Sequence, residues 1–187
     1  GTNNTLIGGL AGDAITTASN NIAVGASALS ATTTGAGNVS LGQASMVTNT
    51  TGSYNIAIGP SALEANTTAS DNVAIGRVAM VANTTGAENV AVGAISLDAN
   101  TTGNYNTALG RAALSGNTTA DNNTAIGWNS LLSNTTGANN VAVGKSALDN
   151  NTTAANNTAV GAYALDANTT GTSLVAMGYQ ALKSNLV

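Results

Sequence analysis

The chain has 187 residues, 43% of them hydrophobic, with 22 Gly, four Tyr and one Trp but no Phe, Cys or His. Four basic and eight acidic residues give a formal net charge of −4, which disfavours a surface that neutralises nucleic-acid phosphates. Without His or Cys, a Ser-His-Asp triad, a Cys nucleophile and a zinc site of the usual ligands are excluded, so we expect neither catalysis nor a cofactor.

A glycine recurs at every seventeenth position, in one register along the whole chain. These glycines are Gly8, Gly25, Gly42, Gly59, Gly76, Gly93, Gly110, Gly127, Gly144, Gly161 and Gly178. Eleven units of this length account for the entire sequence, so we expect residues 1–187 to form one domain without a linker. The segment Asn55–Asp71 shows the unit clearly. Its positions are numbered 1–17 from Asn55, and each unit is called a coil.

Each coil begins with a short segment of alternating character. Position 2 is Ile, Val or Thr, position 3 is almost always Ala, and position 4 is aliphatic, as in Ile56-Ala57-Ile58. This pattern predicts a strand with positions 2 and 4 on one face and position 3 on the other. We expect the large apolar side chains of positions 2, 4 and 9 to be buried in stacked rows. The small Ala side chains would then face outward and suit a contact between chains.

Glycine and Asn rows complete the coil and define the architecture. Position 5 includes Gly59, Gly76, Gly93 and Gly110, and position 1 includes Asn55, Asn72, Asn89 and Asn106. The Gly row predicts a corner that needs φ > 0 or close backbone approach, and the Asn rows at positions 1 and 12 predict stacked side-chain amides. Stacked coils predict an all-β parallel β-solenoid, a β-roll or β-helix about 50 Å long, with no helical domain. No apolar run is long enough to predict membrane insertion.

Position 6 is variable and is expected to point outward. Arg111, Trp128 and Lys145 occupy it on three consecutive coils and form a small basic and aromatic strip. An exposed aromatic ring flanked by cations suits a glycan or a partner surface, although scattered exposed side chains of this kind are also ordinary.

Two further patterns have weaker functional interpretations. Asp149 and Asp166 lie on adjacent coils, but calcium needs six or more oxygens, so a solvated polar edge is the preferred interpretation. The Thr residues at positions 13 and 14 make ice binding a minor alternative, because only one Thr per coil can point outward from a strand. The Asn-Thr-Thr tracts also match the acceptor sequence for N-glycosylation.

The phase of the repeat suggests assembly at the ends of the chain. The first coil departs from the consensus at Leu6, Gly12, Asp13 and Ile15, whereas the last coil, 174–187, stays near the consensus. A second copy placed after the first would continue the coil in phase, with Leu186 and Val187 meeting Leu6 and Ile7. We therefore expect either a segment of a longer repeat protein or subunits that stack head-to-tail.

The pattern Asn-Xaa-Ala-Ile/Val-Gly-Xaa-Xaa-Ala/Ser-Leu resembles the head repeat of trimeric autotransporter adhesins. With Asn-Thr-Thr-Gly included, the unit is more similar to repeats of bacterial and phage tail-fibre-type surface proteins. The first resemblance implies a left-handed β-roll assembled as a homotrimer. Together they imply a non-enzymatic structural subunit or segment of an extracellular fibre, at a cell surface or in a virion, that associates with itself. An adhesin that displays its surface to glycans is the alternative.

Overall fold

The computed structural model describes residues 1–185, which form a stack of coils with one parallel sheet. Each strand pairs with the equivalent strand of the next coil, so that Ile56 lies opposite Val73. The eleven strands, in both chain order and sheet order, are β1 Thr5–Ile7, β2 Ile22–Val24, β3 Val39–Leu41, β4 Ile56–Ile58, β5 Val73–Ile75, β6 Val90–Val92, β7 Thr107–Leu109, β8 Thr124–Ile126, β9 Val141–Val143, β10 Thr158–Val160 and β11 Val175–Met177. The predicted parallel β-solenoid is confirmed, with the predicted coil length, and residues 1–185 contain no helix.

The strand faces are oriented opposite to the prediction. Ala57 and Ala74 at position 3 are fully buried, whereas Ile56 and Ile58 at positions 2 and 4 point away from the core and remain partly exposed. The prediction that positions 2 and 4 fill the core, with the Ala row outside, is therefore wrong. The reason is the small cross-section of the coil, which has room for only one large apolar side chain beside Ala and Asn. That side chain comes from position 9, as predicted, at Leu29, Met46, Leu63, Met80, Leu97, Leu114, Leu131, Leu148 and Leu165.

The chain turns its tight corners with residues of positive φ. Gly59 has φ +129°, and a Cβ there would lie only 2.6 Å from the carbonyl oxygen of Gly76, so both predicted reasons for a glycine apply. Leu63 at position 9 has φ 53°, although this region costs a non-Gly residue about 1–2 kcal/mol. Full burial of a Leu side chain contributes about 1.5–3 kcal/mol, which offsets that strain. Packing thus holds the Leu row in a conformation that the backbone alone disfavours.

The first coil fills its interior with a different pair of residues at positions 3 and 9. It has Leu6 at position 3 and Gly12 at position 9, the reverse of the usual Ala and Leu. A Cβ added to Gly12 would lie 2.7 Å from Cδ2 of Leu6 and 2.9 Å from Cδ1 of Ile15, so these two side chains occupy the space above the glycine. One large apolar side chain per coil is retained, although it comes from the opposite side of the core.

This exchange predicts a measurable coupling in an inner coil. Leu97→Gly should cost about 2–5 kcal/mol of unfolding free energy through the cavity, and Ala91→Leu about 1–3 kcal/mol through overpacking. The loss of unfolding free energy in the double variant should be smaller than the summed losses of the two single variants by about 1 kcal/mol or more, because the new Leu fills the space left by Leu97. Urea unfolding of the four proteins measures the coupling, and strictly additive losses would contradict this account of the core.

Candidate functional site

In the eight coils that carry Asn at both position 1 and position 12, two Asn side chains converge on one backbone carbonyl. Nδ2 of Asn55, at position 1, donates to the carbonyl oxygen of Ala69 at 2.9 Å, and Nδ2 of Asn66, at position 12, donates to the same oxygen at 3.0 Å. Asn72 and Asn83 repeat this arrangement on the carbonyl of Gly86. The pair is called the Asn brace. It links positions 1 and 12 of the coil through the carbonyl of position 15.

The same Asn side chains also join neighbouring coils. The backbone N–H of Asn72 donates to Oδ1 of Asn55 at 3.0 Å, and Nδ2 of Asn66 donates to Oδ1 of Asn49 at 2.8 Å. The structure thus places Asn55, Asn72, Asn89 and Asn106 in one continuous row of amides. Among residues 1–185 no buried side-chain N or O lacks a hydrogen-bond partner.

Burial of the Asn side chains prevents glycosylation of the Asn-Thr-Thr tracts in the folded chain. The acceptor Asn of each tract stands at position 12, as Asn66 does, and the Asn66 side chain is fully buried and bonded at both its oxygen and its nitrogen. A glycan on that nitrogen would require the coil to open. These tracts therefore serve as structure in the folded protein.

The Thr rows differ in exposure. Oγ1 of Thr67 at position 13 donates to the carbonyl of Thr84 at 3.2 Å, and Oγ1 of Thr84 donates to the carbonyl of Thr101 at 3.0 Å. Thr68, which follows at position 14, is exposed. Position 14 is an exposed Thr in every described coil that reaches it, and position 13 is exposed as well at Thr16, Thr152 and Thr169, so the second rank of hydroxyls is interrupted, whereas an ice-like plane needs two full ranks.

The position 6 side chains line one corner of the solenoid. Arg77, Arg111, Trp128 and Lys145 are all exposed there, with Trp128 44% exposed. Within the described range, the guanidinium groups of Arg77 and Arg111 make no hydrogen bond or ion pair. These cations are therefore available to an external ligand.

An aromatic cluster extends the predicted strip toward the last coil. Nζ of Lys145 lies 4.9 Å from the centre of the Trp128 ring and 5.2 Å from that of Tyr163. Nζ of Lys183 lies 5.0 Å from the Tyr163 ring, and the Tyr163 and Tyr179 rings meet edge to face at 6.4 Å. The predicted Arg111, Trp128 and Lys145 do share a row, although Lys145 and not Arg111 makes the cation–π contact with Trp128.

Sequence reasoning missed Tyr163 and Lys183 because they occupy positions 7 and 10 and not position 6. Positions 6–10 form one turn, so outward side chains from positions 6, 7 and 10 reach the same corner, whereas positions 8 and 9 are buried in the coils before the last. A search of the whole turn for aromatic and basic residues, and not of one row, would have found the cluster.

Asp149 and Asp166, the acidic pair on adjacent coils, do not form a metal site in the described part of the chain. Burial raises the pKa of Asp149, a hydrogen bond from Ser146 lowers it, and the negative charge of Asp166 raises it. In the described part of the chain no group of three or more acidic side chains is placed to hold a metal ion. The same part has no cavity that could enclose a small molecule.

The outward side chains of positions 2 and 4 form a continuous surface, called here the aliphatic face. Neither position carries a charged residue in any coil, and Ile22 and Ile126 are 40% and 37% exposed. The face consists of Ile22, Val39, Ile56, Val73, Val90, Thr107, Thr124, Val141, Thr158 and Val175 at position 2, and Val24, Leu41, Ile58, Ile75, Val92, Leu109, Ile126, Val143, Val160 and Met177 at position 4.

The predicted assembly ends are only partly visible. Leu6 and Ile7 are 41% and 59% exposed. Leu186 and Val187 lie outside the described residues.

Comparison with protein-family models, curated proteins and solved structures gives no match to this chain. No helix among residues 1–185 has the length and hydropathy to cross a membrane.

The Asn brace predicts that two polar residues close in sequence differ greatly in how much their replacement by Ala lowers the free energy of unfolding. Asn100→Ala should lower the unfolding free energy by about 3 kcal/mol or more, because it removes the bonds of Asn100 to Asn83, Gly103 and Asn117 and leaves buried polar partners unsatisfied. Thr102→Ala, at exposed position 14 of the same coil, should change it by less than about 0.5 kcal/mol. Urea unfolding compares the two variants, and a similar loss in both would contradict the role of the brace.

Proposed function

We propose that this chain is a non-enzymatic structural repeat, a segment or subunit of an extracellular fibre, that associates with copies of itself through the aliphatic face. The observation that carries the proposal is the orientation of positions 2 and 4, which puts two uncharged rows on the outside, mostly Ile, Val and Leu with three Thr and one Met. Removing apolar surface from water contributes about 25 cal/mol per Å². A surface that extends along ten strands, β2 to β11, on the order of 50 Å, therefore favours a partner.

A second copy of the chain suits this surface because the two rows have the same period. Each strand is followed by an equivalent one in the next coil, so apolar side chains of one copy meet those of another at every coil. Three copies around a common axis would cover all three aliphatic faces. The contact then lies on positions 2 and 4, since the Ala row first considered for it is buried.

The resemblance to autotransporter heads and tail-fibre-type repeats supports the same proposal. It favours a homotrimer with left-handed coils, located at a cell surface or in a virion fibre. Head-to-tail continuation is compatible with it, because β1 and β11 are the edge strands of the sheet and pair with further coils of a longer chain or of another copy.

A second candidate function, an adhesin, is favoured by the cluster around Trp128. An exposed indole flanked by Lys145, with Tyr163 and Tyr179 beyond, presents flat rings and positive charge on the outside of the solenoid. Sugars stack their apolar C–H faces on such rings. The position 6 row and the aliphatic face are different surfaces, so both functions are compatible with one fibre.

Charge on the aliphatic face is expected to dissociate the assembly. The wild-type chain, of mass 18.0 kDa, should run as an oligomer or filament in size-exclusion chromatography with light scattering. Ile75→Glu combined with Leu109→Glu should shift it toward the monomer, whereas Thr85→Glu with Thr119→Glu, at exposed position 14 of the same coils, should not. Circular dichroism checks that both variants fold. A monodisperse wild-type monomer would refute the proposal.

A glycan array tests the adhesin candidate. The wild-type chain should bind a subset of the glycans, and Trp128→Ala should reduce that binding about tenfold or more, because a stacked aromatic ring at a contact centre contributes over about 1 kcal/mol. Tyr105→Ala, an exposed aromatic residue outside the cluster, is the matched control and should bind normally. An array without signal would leave the structural function alone in place.

A further inference from the structure

The basic residues of position 6 are spaced by two coils. Arg77, Arg111 and Lys145 follow one another on every second coil, which is roughly 10 Å at the ~4.8 Å strand spacing. Ala94 lies between the first pair and Trp128 between the second. The row therefore presents cation, small residue, cation, aromatic ring and cation along the axis of the solenoid.

This row carries positive charge on a chain that is negative overall. The chain has only four basic residues, and the fourth, Lys183, lies against Tyr163 in the adjoining cluster. No acidic residue occupies position 6, since the eight acids fall at positions 10, 16 and 17. None of the four basic side chains forms an ion pair in the described part of the chain. Arg77 and Arg111 direct their charge to solvent, whereas the ammonium groups of Lys145 and Lys183 lie over aromatic rings.

We propose that the position 6 row binds a linear acidic polysaccharide that carries a carboxylate on alternate sugars and lies along the solenoid axis. This inference rests on the adhesin function proposed above and names its ligand class. A pyranose in an extended chain advances by about the rise of one coil, so carboxylates on alternate sugars match cations on alternate coils. Arg is suited to this role because its guanidinium binds a carboxylate through two parallel hydrogen bonds.

The residues between the cations fit the neutral sugars. Trp128 offers a flat apolar face where a neutral ring would lie between Arg111 and Lys145, and Ala94 leaves space at the equivalent place between Arg77 and Arg111. The ammonium group of Lys145 is held beside the Trp128 and Tyr163 rings, which restricts its position at the end of the row. A single-stranded nucleic acid carries a phosphate on every nucleotide, and its charge does not match this two-coil period.

The test measures binding of a hyaluronate octasaccharide, with a carboxylate on alternate sugars, by calorimetry at low and physiological salt. A neutral chitin hexasaccharide and oligo(dT) are the comparison probes. Arg77→Gln with Arg111→Gln should weaken hyaluronate binding about tenfold or more. Ala94→Arg with Arg111→Ala keeps the net charge but breaks the two-coil spacing, and it should lose a similar factor. Added salt should weaken the wild-type interaction.

The outcomes separate spacing, charge and glycan binding. Equal hyaluronate binding by the spacing variant, or equal binding of oligo(dT) by the wild type, would overturn the inference in favour of unspecific attraction between charges. Binding of the neutral oligosaccharide alone would contradict the acidic ligand but leave the adhesin function standing. Binding of no glycan, in this experiment or on the array, would contradict both the acidic ligand and the adhesin function. Arg77 and Arg111 are exposed, Ala94 is half-buried, and all three lie outside the core and the aliphatic face, so circular dichroism and light scattering should be unchanged in every variant.

Discussion

The carbonyl of position 15, bound by two Asn side chains at once in eight of the coils, fixes the size of the coil. Nδ2 atoms of Asn89 and Asn100 meet on the carbonyl of Gly103 at 2.8 and 3.0 Å, and this contact draws position 1 and position 12 together across the interior. A fully buried polar pair of this kind leaves little volume for apolar side chains. One Leu or Met from position 9, with Ala or Ser at positions 3 and 8, fills what remains. The aliphatic residues of the strand are consequently excluded from the core.

The stability of the solenoid is therefore a property of stacked rows and not of single coils. A coil with one large buried apolar side chain cannot offset its own conformational entropy, and it also holds Leu97 at φ 50° and Ile95 at φ 52°, where non-Gly residues are disfavoured. Each coil is supported by its neighbours through the Asn rows and through parallel pairing such as Val73 with Val90. An Asn that loses its partner in the next coil becomes a buried unsatisfied group, so disruption of one coil also destabilises the next.

The repeat length, the strand at positions 2–4, the Gly corner and the stacked amides were all predictable, because each has a local signature in the repeat unit. The orientation of the strand was not. Alternation such as Val90-Ala91-Val92 shows that two faces differ, and in most sheets the larger side chains face the core. Here the brace leaves a narrow core, which reverses the usual choice. Thr107, Thr124 and Thr158 at position 2 were the available signal, since a row containing several hydroxyl groups suits an outer surface better than a dry core.

The cluster of aromatic and basic residues around Trp128 illustrates a second limit of sequence reasoning. Lys183 contacts the ring of Tyr163 from another coil and another position of the turn, and nothing in a single row reveals such a contact. The division between constant and variable positions is nevertheless informative. Positions 1, 5, 9 and 12 are restricted by the brace, the corner and the core, and the aliphatic face is restricted if copies pack on it. Position 6 carries none of these constraints and shows Gln43, Pro60, Arg77, Trp128 and Tyr179 in turn. A repeat protein built in this way has few places where recognition can be varied without loss of the fold, and a ligand is therefore best sought at that corner.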